Sequence, residues 1–183
     1  MMNKKDFFSL FGFSVGFDID LDELHRRYRE LQRRVHPDNY ASSTSAERLA
    51  SVQQAADVNE AFHTLKSPLR RAGYLLALRG IVLEDDKPTS LDMEFIQEQI
   101  ELREDLEDIR HHHGSIANAD GFLSDINARL DALFQKFARD LLDANSQMPQ
   151  ELHLTYHKLQ FFTRLQQEAK DLVGDLEGDL EEL

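Results

Sequence analysis

The 183-residue chain contains no cysteine, which excludes disulfides and thiolate-ligated metal sites. It also lacks an apolar run long enough to cross a bilayer. The short aromatic stretch near its start is interrupted by Asp6 and does not have the pattern of a signal peptide. No glycine-rich phosphate loop occurs. We therefore expect a soluble, cytoplasmic protein without a cofactor.

Basic residues are also few relative to acidic ones, 21 against 34, which gives a net charge of −13. The charged residues are unevenly distributed along the chain. Residues 1–80 carry 12 basic and 10 acidic side chains, whereas residues 81–183 carry 9 basic and 24 acidic ones. This asymmetry indicates two units with different partners. The acidic half argues against nucleic acid or an anionic membrane as a ligand, although solubility alone would also account for it.

Four helices are predicted in the first 80 residues, because capping residues precede apolar stripes of helical spacing. Their predicted limits are Asn3 to Gly12, Asp20 to about Val35, Thr44 to about Lys66, and Ser67 to Gly80. In the third of them, spacing predicts an inward face. Its members are Ala46, Leu49, Val52, Ala56, Phe62 and Leu65.

The segment "GIVLEDDKPTS" breaks this pattern with charge and proline, which indicates a boundary. Three longer helices are predicted after it, at about Leu91–His112, Ile116–Ala144 and Pro149–Val173. Heptad-like spacing in the middle one favours an antiparallel bundle. The predicted organisation is all-α, with domains 1–80 and 91–174, a linker 81–90, and a frayed acidic tail 175–183.

Three interpretations of His36-Pro37-Asp38 are open. A His-Asp pair could perform acid-base catalysis, but no nucleophile or metal cluster accompanies it, so we do not expect an enzyme. Alternatively, Pro37 simply ends the helix and Asp38 turns the loop. A third possibility is a docking surface for an acidic partner, because the preceding helix is rich in arginine, which pairs well with carboxylates. The arginines are Arg26, Arg27, Arg29, Arg33 and Arg34.

The first of the longer helices carries apolar residues on two faces. On a helical wheel at about 100° per residue, a bundle-facing stripe forms from Leu91, Phe95, Leu102, Leu106 and Ile109. Met93, Ile96 and Ile100 fall outside it, which predicts either an exposed patch or a wider buried face. In the last helix, Phe162 belongs to the apolar stripe and Phe161 is the outward candidate.

These segments resemble those of a known family. His36-Pro37-Asp38, with "FFSLFGF" before and "NEAFHTLKSPLRRAGYLL" after it, looks like the J-domain of DnaJ-type co-chaperones. The phrases "FIQEQIELREDLEDI" and "KLQFF" are similar to the HscB family, the J-proteins of iron–sulfur cluster biogenesis. The resemblance implies an L-shaped, all-α, bacterial-type protein with an N-terminal J-domain helical hairpin, a C-terminal three-helix bundle and no structural metal.

The resemblance also implies partners and site residues. His36, Pro37 and Asp38 would stimulate the ATPase of the DnaK-type chaperone HscA, on which the arginine helix docks, and the bundle would bind the scaffold IscU. The implied scaffold-binding residues are Ile96, Gln97, Ile100, Glu101, Arg103, Glu104, Asp108 and Phe161. Alternatives are a general J-domain co-chaperone for unfolded or other dedicated clients, or a helical adaptor without ATPase coupling.

Histidines give a weaker signal. His111, His112 and His113 are consecutive, so they spread around a helix rather than converge on a metal. His153 and His157 share a face at i,i+4 and could form a metal pair, but the sequence offers them no evident third ligand. No metal site is therefore expected.

Overall fold

The chain folds into helices, and the all-α prediction is confirmed. The computed structural model describes residues 6–36, 44–81, 93–111, 115–143 and 148–181, and within these ranges it contains seven helices and no strand. The helices are α1 (Phe7–Leu10), α2 (Leu21–Val35), α3 (Ser45–Lys66), α4 (Pro68–Leu78), α5 (Met93–His111), α6 (Ile116–Leu142) and α7 (Met148–Glu181). Contacts divide the chain into two compact units, Met1–Gly80 and Ile81–Leu183.

In the first unit, α2 packs against α3 through an aromatic contact. The rings of Tyr28 and Phe62 stack with centroids 3.8 Å apart. The Tyr28 hydroxyl also donates a hydrogen bond of 3.0 Å to the side-chain oxygen of Asn59. Leu24, one turn before Tyr28, is fully buried. The predicted apolar stripe of α2 therefore faces the core of this unit from Leu24 onward, whereas Leu21 at its start is 43% exposed.

The start of the described chain is fastened to α4 by Tyr74. The Phe7 backbone amide donates to the Tyr74 hydroxyl, which donates in turn to Asp6, and both bonds are 3.0 Å long. Asp6 also caps α1 by accepting from the amides of Phe8 and Ser9. Asp6 is thus the cap of α1, whereas Asn3, the predicted cap, lies outside the described residues. Burial raises the pKa of Tyr74, which favours its neutral, hydrogen-bonding form.

The predicted inward face of α3 is wrong in its first half. Leu49 is 72% exposed and Val52 is 53% exposed, and Ala46 and Ala56 are exposed too, although Phe62 and Leu65 are buried as expected. The buried residues of α3 are Ser51, Val58, Ala61, Phe62 and Leu65. The wheel failed there because alanines and single apolar residues lie on several faces of this half. Ser51 is buried in this half of the helix although it is polar, because its hydroxyl donates a hydrogen bond of 2.8 Å to the Arg48 carbonyl.

The N-terminus of α3 carries the predicted capping box. The Glu47 amide donates to the Thr44 hydroxyl, and the Thr44 amide donates to the Glu47 carboxylate. The hydrogen bonds from Thr44 lower the pKa of Glu47. The cap therefore contributes stability above the usual carboxyl pKa, and this contribution is lost as the pH falls through the lowered value.

We expect Thr44→Ala to lower the free energy of unfolding by about 1 kcal/mol, because the Glu47 amide loses the hydroxyl that accepts its hydrogen bond. Urea denaturation followed by circular dichroism measures the change. Ser45→Ala is the matched control: Ser45 is exposed at the first helical position, and alanine is the better helix former, so no loss is expected there. Equal losses for the two variants would contradict the capping role of Thr44.

The second unit is built mainly by α6 packing along α7, with α5 against both. Three of the five predicted bundle-facing residues of α5 are buried, namely Phe95, Leu102 and Leu106. Ile109 is half-buried, and Leu91 lies outside the described residues. An ion pair between Arg129 of α6 and Glu98 of α5 adds to this packing.

Helix α7 does not end where the sequence predicted. It continues beyond Val173 through Gly174 and Gly178 to Glu181, so the prediction of a frayed tail from residue 175 is wrong for the described part. Each glycine in a helix interior costs about 1 kcal/mol relative to alanine. No proline breaks the segment, and the leucines and glutamates between the glycines are good helix formers. The glycines alone were therefore too weak a stop signal.

Candidate functional site

The end of α2 presents the first candidate site. His36 is the C-cap residue of α2, with φ −60° and ψ 129°, and its side chain is exposed. This extended conformation is the one that a following proline favours, which explains the helix end. Pro37 and Asp38 lie outside the described residues, so the arrangement of the triplet stays a prediction.

The arginines of α2 fall into two rows. Arg26, Arg29 and Arg33 lie opposite the apolar stripe and are exposed, and Arg34 is exposed on a flank with Arg27. Arg26 forms ion pairs of 2.6 Å with both Glu23 and Glu30. Hydrogen bonds from Arg26 and Arg27 lower the pKa of Glu23 to about 2. The face is therefore a network of charges in which Arg26 already has anionic partners.

Arg27 also makes contacts within the N-terminal unit, and the sequence did not predict them. Its Nη1 donates to the Phe11 carbonyl at 2.5 Å, its Nε donates to Glu23 at 2.7 Å, and its guanidinium lies 4.7 Å from the centroid of the Phe13 ring. Gly12 has a φ of 69°, and a Cβ there would approach Arg27 Nη1 to 2.9 Å. Arg27 therefore holds the segment after α1 against α2, in addition to any part in docking.

A shallow cavity of about 290 Å³ lies beside Arg27. Leu10, Phe11 and Gly12 line one side, and Glu30, Leu31 and Arg34 of α2 line the other. The cavity therefore continues the exposed arginine face of α2 toward α1, and its wall combines apolar and charged groups.

The second candidate site is on α5. Met93 is 75% exposed and Ile100 is 54% exposed, while Ile96 between them is half-buried. Of the two predicted alternatives, an exposed patch or a wider buried face, the structure shows the exposed patch. Met93 was absent from the residues that the family resemblance implied, although its wheel position beside Ile100 was the available signal. We call Met93, Ile96 and Ile100 the α5 patch.

Polar residues border the α5 patch. The predicted Glu101, Glu104 and Asp108 are all exposed on α5. Gln97 is exposed and donates a hydrogen bond of 3.0 Å to Glu101, which orients that carboxylate. An exposed apolar patch surrounded by carboxylates has the composition of a protein-binding surface.

Phe161 of α7 is brought to the same region. Its ring meets the ring of Phe95 of α5 edge-to-face, with centroids 5.7 Å apart. The Arg103 guanidinium lies 5.9 Å from the Phe161 ring centroid and 3.8 Å from Glu168, so α5 and α7 are joined at this point. Phe162 is buried as predicted, whereas Phe161 is half-buried rather than fully outward. Phe161 can therefore support the surface and contribute an aromatic edge to it.

The described residues contain no group of three or more side chains suited to hold a metal ion. Among the histidines, His111 ends α5 and lies 3.0 Å from Glu107, while His112 and His113 are outside the described residues. None of the described helices is long and apolar enough to span a membrane.

Comparison with known proteins supports one family throughout. Residues 91–170 match the model of the HSCB C-terminal oligomerisation domain. A co-chaperone protein HscB homolog of Shewanella baltica is 46% identical over 147 residues, which cover 80% of this chain and 78% of the relative. A homolog of the same name from another Shewanella strain is 47% identical and covers 73% and 70% of the two chains.

Solved structures agree with these sequence relatives. Chaperone HscB from Vibrio cholerae superposes with a TM-score of 0.79 at 35% identity, covering 93% of this chain and 99% of that one. Human co-chaperone protein HscB gives a TM-score of 0.82 at 27% identity, covering 93% and 83%. The exposed end of α2, the α5 patch and these similarities point the same way, and the chain belongs to the HscB family of co-chaperones.

Proposed function

We propose that this co-chaperone binds the iron–sulfur scaffold IscU, delivers it to the DnaK-type chaperone HscA and stimulates the HscA ATPase. The observation that carries the proposal is the α5 patch, where Met93 and Ile100 remain exposed beside a row of carboxylates. An apolar centre with a polar rim is the usual anatomy of a protein–protein interface, and rim charges add orientation and specificity for one partner.

The two tasks fall to different parts of the chain. In this proposal, residues 1–80 form the J-domain, and its His36-Pro37-Asp38 segment and the exposed Arg26, Arg29, Arg33 and Arg34 act on the chaperone. Residues 91–174 form the scaffold-binding bundle. Exposed arginines suit an acidic docking site, because each guanidinium can pair with a carboxylate through two parallel hydrogen bonds.

Within the bundle, apolar anchors and charged groups have separate roles. Ile96, Ile100 and Phe161 lose water on binding and supply most of the affinity. Gln97, Glu101, Arg103, Glu104 and Asp108 form the charged rim. Rim charges contribute mainly to orientation and to the rate of association, so each is expected to matter less for affinity than an apolar anchor.

Asp38→Asn tests the chaperone arm. The carboxylate is needed in the proposed triplet and its amide isostere keeps the size, so we expect at least about a tenfold loss of HscA ATPase stimulation, or about 1.4 kcal/mol. Steady-state ATP hydrolysis by HscA, with IscU present, is the measurement. IscU binding by calorimetry should be unchanged. Stimulation equal to that of the parent protein would show that the triplet does not act on the ATPase.

The general co-chaperone alternative is tested by competition. If the bundle is dedicated to IscU, a denatured reporter protein will not displace labelled IscU from it, whereas unlabelled IscU will. Displacement by the reporter with a similar midpoint would favour a general client surface and would contradict the scaffold assignment.

A further inference from the structure

His153 and His157 form a close pair on α7 that the co-chaperone function does not use. Their Nε2 atoms are 3.4 Å apart, and their ring centroids are 4.4 Å apart at an interplanar angle of 77°. The rings are therefore not stacked, and they approach each other through nitrogen atoms. Both side chains are half-buried on one helical face. Their neighbours restrict side-chain rotation, so less conformational entropy is lost when a metal binds.

The distance between the two nitrogens fits a tetrahedral ion. Zinc lies about 2.0–2.1 Å from a histidine nitrogen, so two nitrogens at tetrahedral corners are roughly 3.3–3.4 Å apart. At the right angles of a square-planar ion the same bond lengths give only about 2.9 Å. We propose that His153 and His157 are the two protein ligands of a site for a divalent ion of tetrahedral preference, with Zn²⁺ as its representative.

Such a site requires both Nε2 atoms to donate a lone pair to the ion. This is met when both imidazoles are neutral and carry their proton on Nδ1. Without an ion, the same pair can instead share one hydrogen bond, with one ring donating from Nε2 and the other accepting there. Metal binding therefore exchanges an N–H···N contact for two metal–nitrogen bonds, and the donor ring changes tautomer: its Nε2 proton goes to solvent while its Nδ1 takes one up.

Among the described residues no third metal-ligating side chain joins the pair, so in this proposal two of the four tetrahedral positions remain for other ligands. Water or another molecule's side chain must fill them. Open positions distinguish this site from a structural zinc site, in which four side chains close the coordination shell. An ion held by two side chains would exchange more readily than one in a closed structural site. This inference is independent of whether IscU is the scaffold.

Full-length protein and ZnCl₂ provide the direct test by calorimetry. The consecutive imidazoles at 111–113 are first removed, since they could also take up zinc. The background is therefore the triple variant His111→Gln, His112→Gln, His113→Gln. In it we expect one Zn²⁺ per chain, and with CoCl₂ the intense visible absorption of tetrahedral Co²⁺. His153→Gln and His157→Gln should each weaken Zn²⁺ binding at least about tenfold.

His63→Gln is the matched control, because His63 is exposed on α3 and has no second histidine within one helical turn. It should leave Zn²⁺ affinity unchanged, and circular dichroism should show native helicity for all variants. The proposal fails if His153→Gln and His157→Gln bind Zn²⁺ as tightly as the background. It also fails if the background gives no binding heat, or only the weak spectrum of octahedral Co²⁺, because the pair is then a hydrogen bond only.

Discussion

Replacing Arg71 with methionine is expected to lower the free energy of unfolding of the N-terminal unit by about 3 kcal/mol. Arg71 is a charged residue of α4 that is only 5% exposed. Its guanidinium donates to the carbonyls of Leu65 and Phe17, at 2.8 and 2.5 Å, and lies 5.2 Å from the Phe17 ring centroid. Methionine fills similar space but cannot donate, so two carbonyls in this region lose their donor.

Burial lowers the pKa of Arg71, with the charge of Asp18 opposing that effect. Burial therefore costs the Arg71 guanidinium part of its hydration free energy, and methionine does not have this cost. The lost hydrogen bonds outweigh this gain, because each acceptor left unsatisfied in the interior costs about 1–3 kcal/mol. The net sign is therefore destabilising.

Urea denaturation of the full chain, monitored by the near-ultraviolet signal of its tyrosines, measures this change. Arg70→Met is the control, since Arg70 is the neighbouring and exposed arginine on the same helix, and it should change stability by less than about 0.5 kcal/mol. Equal effects of the two substitutions would show that the Arg71 hydrogen bonds do not stabilise the unit.

The second large effect is expected for Ile100→Glu, which should weaken IscU binding by at least about thirtyfold, or about 2 kcal/mol. On the proposed surface a carboxylate at this position would be desolvated among other carboxylates, because Glu101 and Glu104 are close to it along α5. Ile100 is already 54% exposed, so the unbound protein should keep its stability.

Calorimetric titration of IscU into the variant gives the affinity. Leu142→Glu is the matched control, because Leu142 is 87% exposed at the end of α6 and receives the same change of chemistry outside the α5 patch. It should bind IscU normally. If Ile100→Glu bound IscU with unchanged affinity and Leu142→Glu did too, the α5 patch would not be the scaffold surface.

The accuracy of the sequence predictions depended on how sharply polar and apolar residues were separated. In α2 the two classes lie largely on distinct faces, and in α5 the buried stripe is separate from the α5 patch, so the wheel correctly placed Leu24, Phe95 and Leu106 in the core. In the first half of α3 the classes are mixed, and Leu49 and Val52 were wrongly placed inside. Periodicity shows which face of a helix is apolar, but it does not show how far a neighbouring helix extends along it.

The candidate site was predictable to a different degree in its two parts. Ile100 and Phe161 could be singled out because they depart from the apolar stripes of their own helices. The internal contacts of Arg27 could not be predicted in this way. They join α2 to the Phe11 carbonyl and the Phe13 ring, and no local pattern encodes a contact between separate segments. Its position in an arginine-rich helix indicated only a surface charge.

The ion pairs of Arg26 have a consequence for the lifetime of the proposed chaperone complex. Glu23 and Glu30 hold the Arg26 guanidinium from both sides, so an acidic partner must displace them to reach it. Docking there becomes an exchange of one carboxylate for another, with a small net gain. The same two glutamates are in position to recapture the arginine, which speeds departure. Such rapid release would suit the proposed function, in which the scaffold is handed over and the co-chaperone departs.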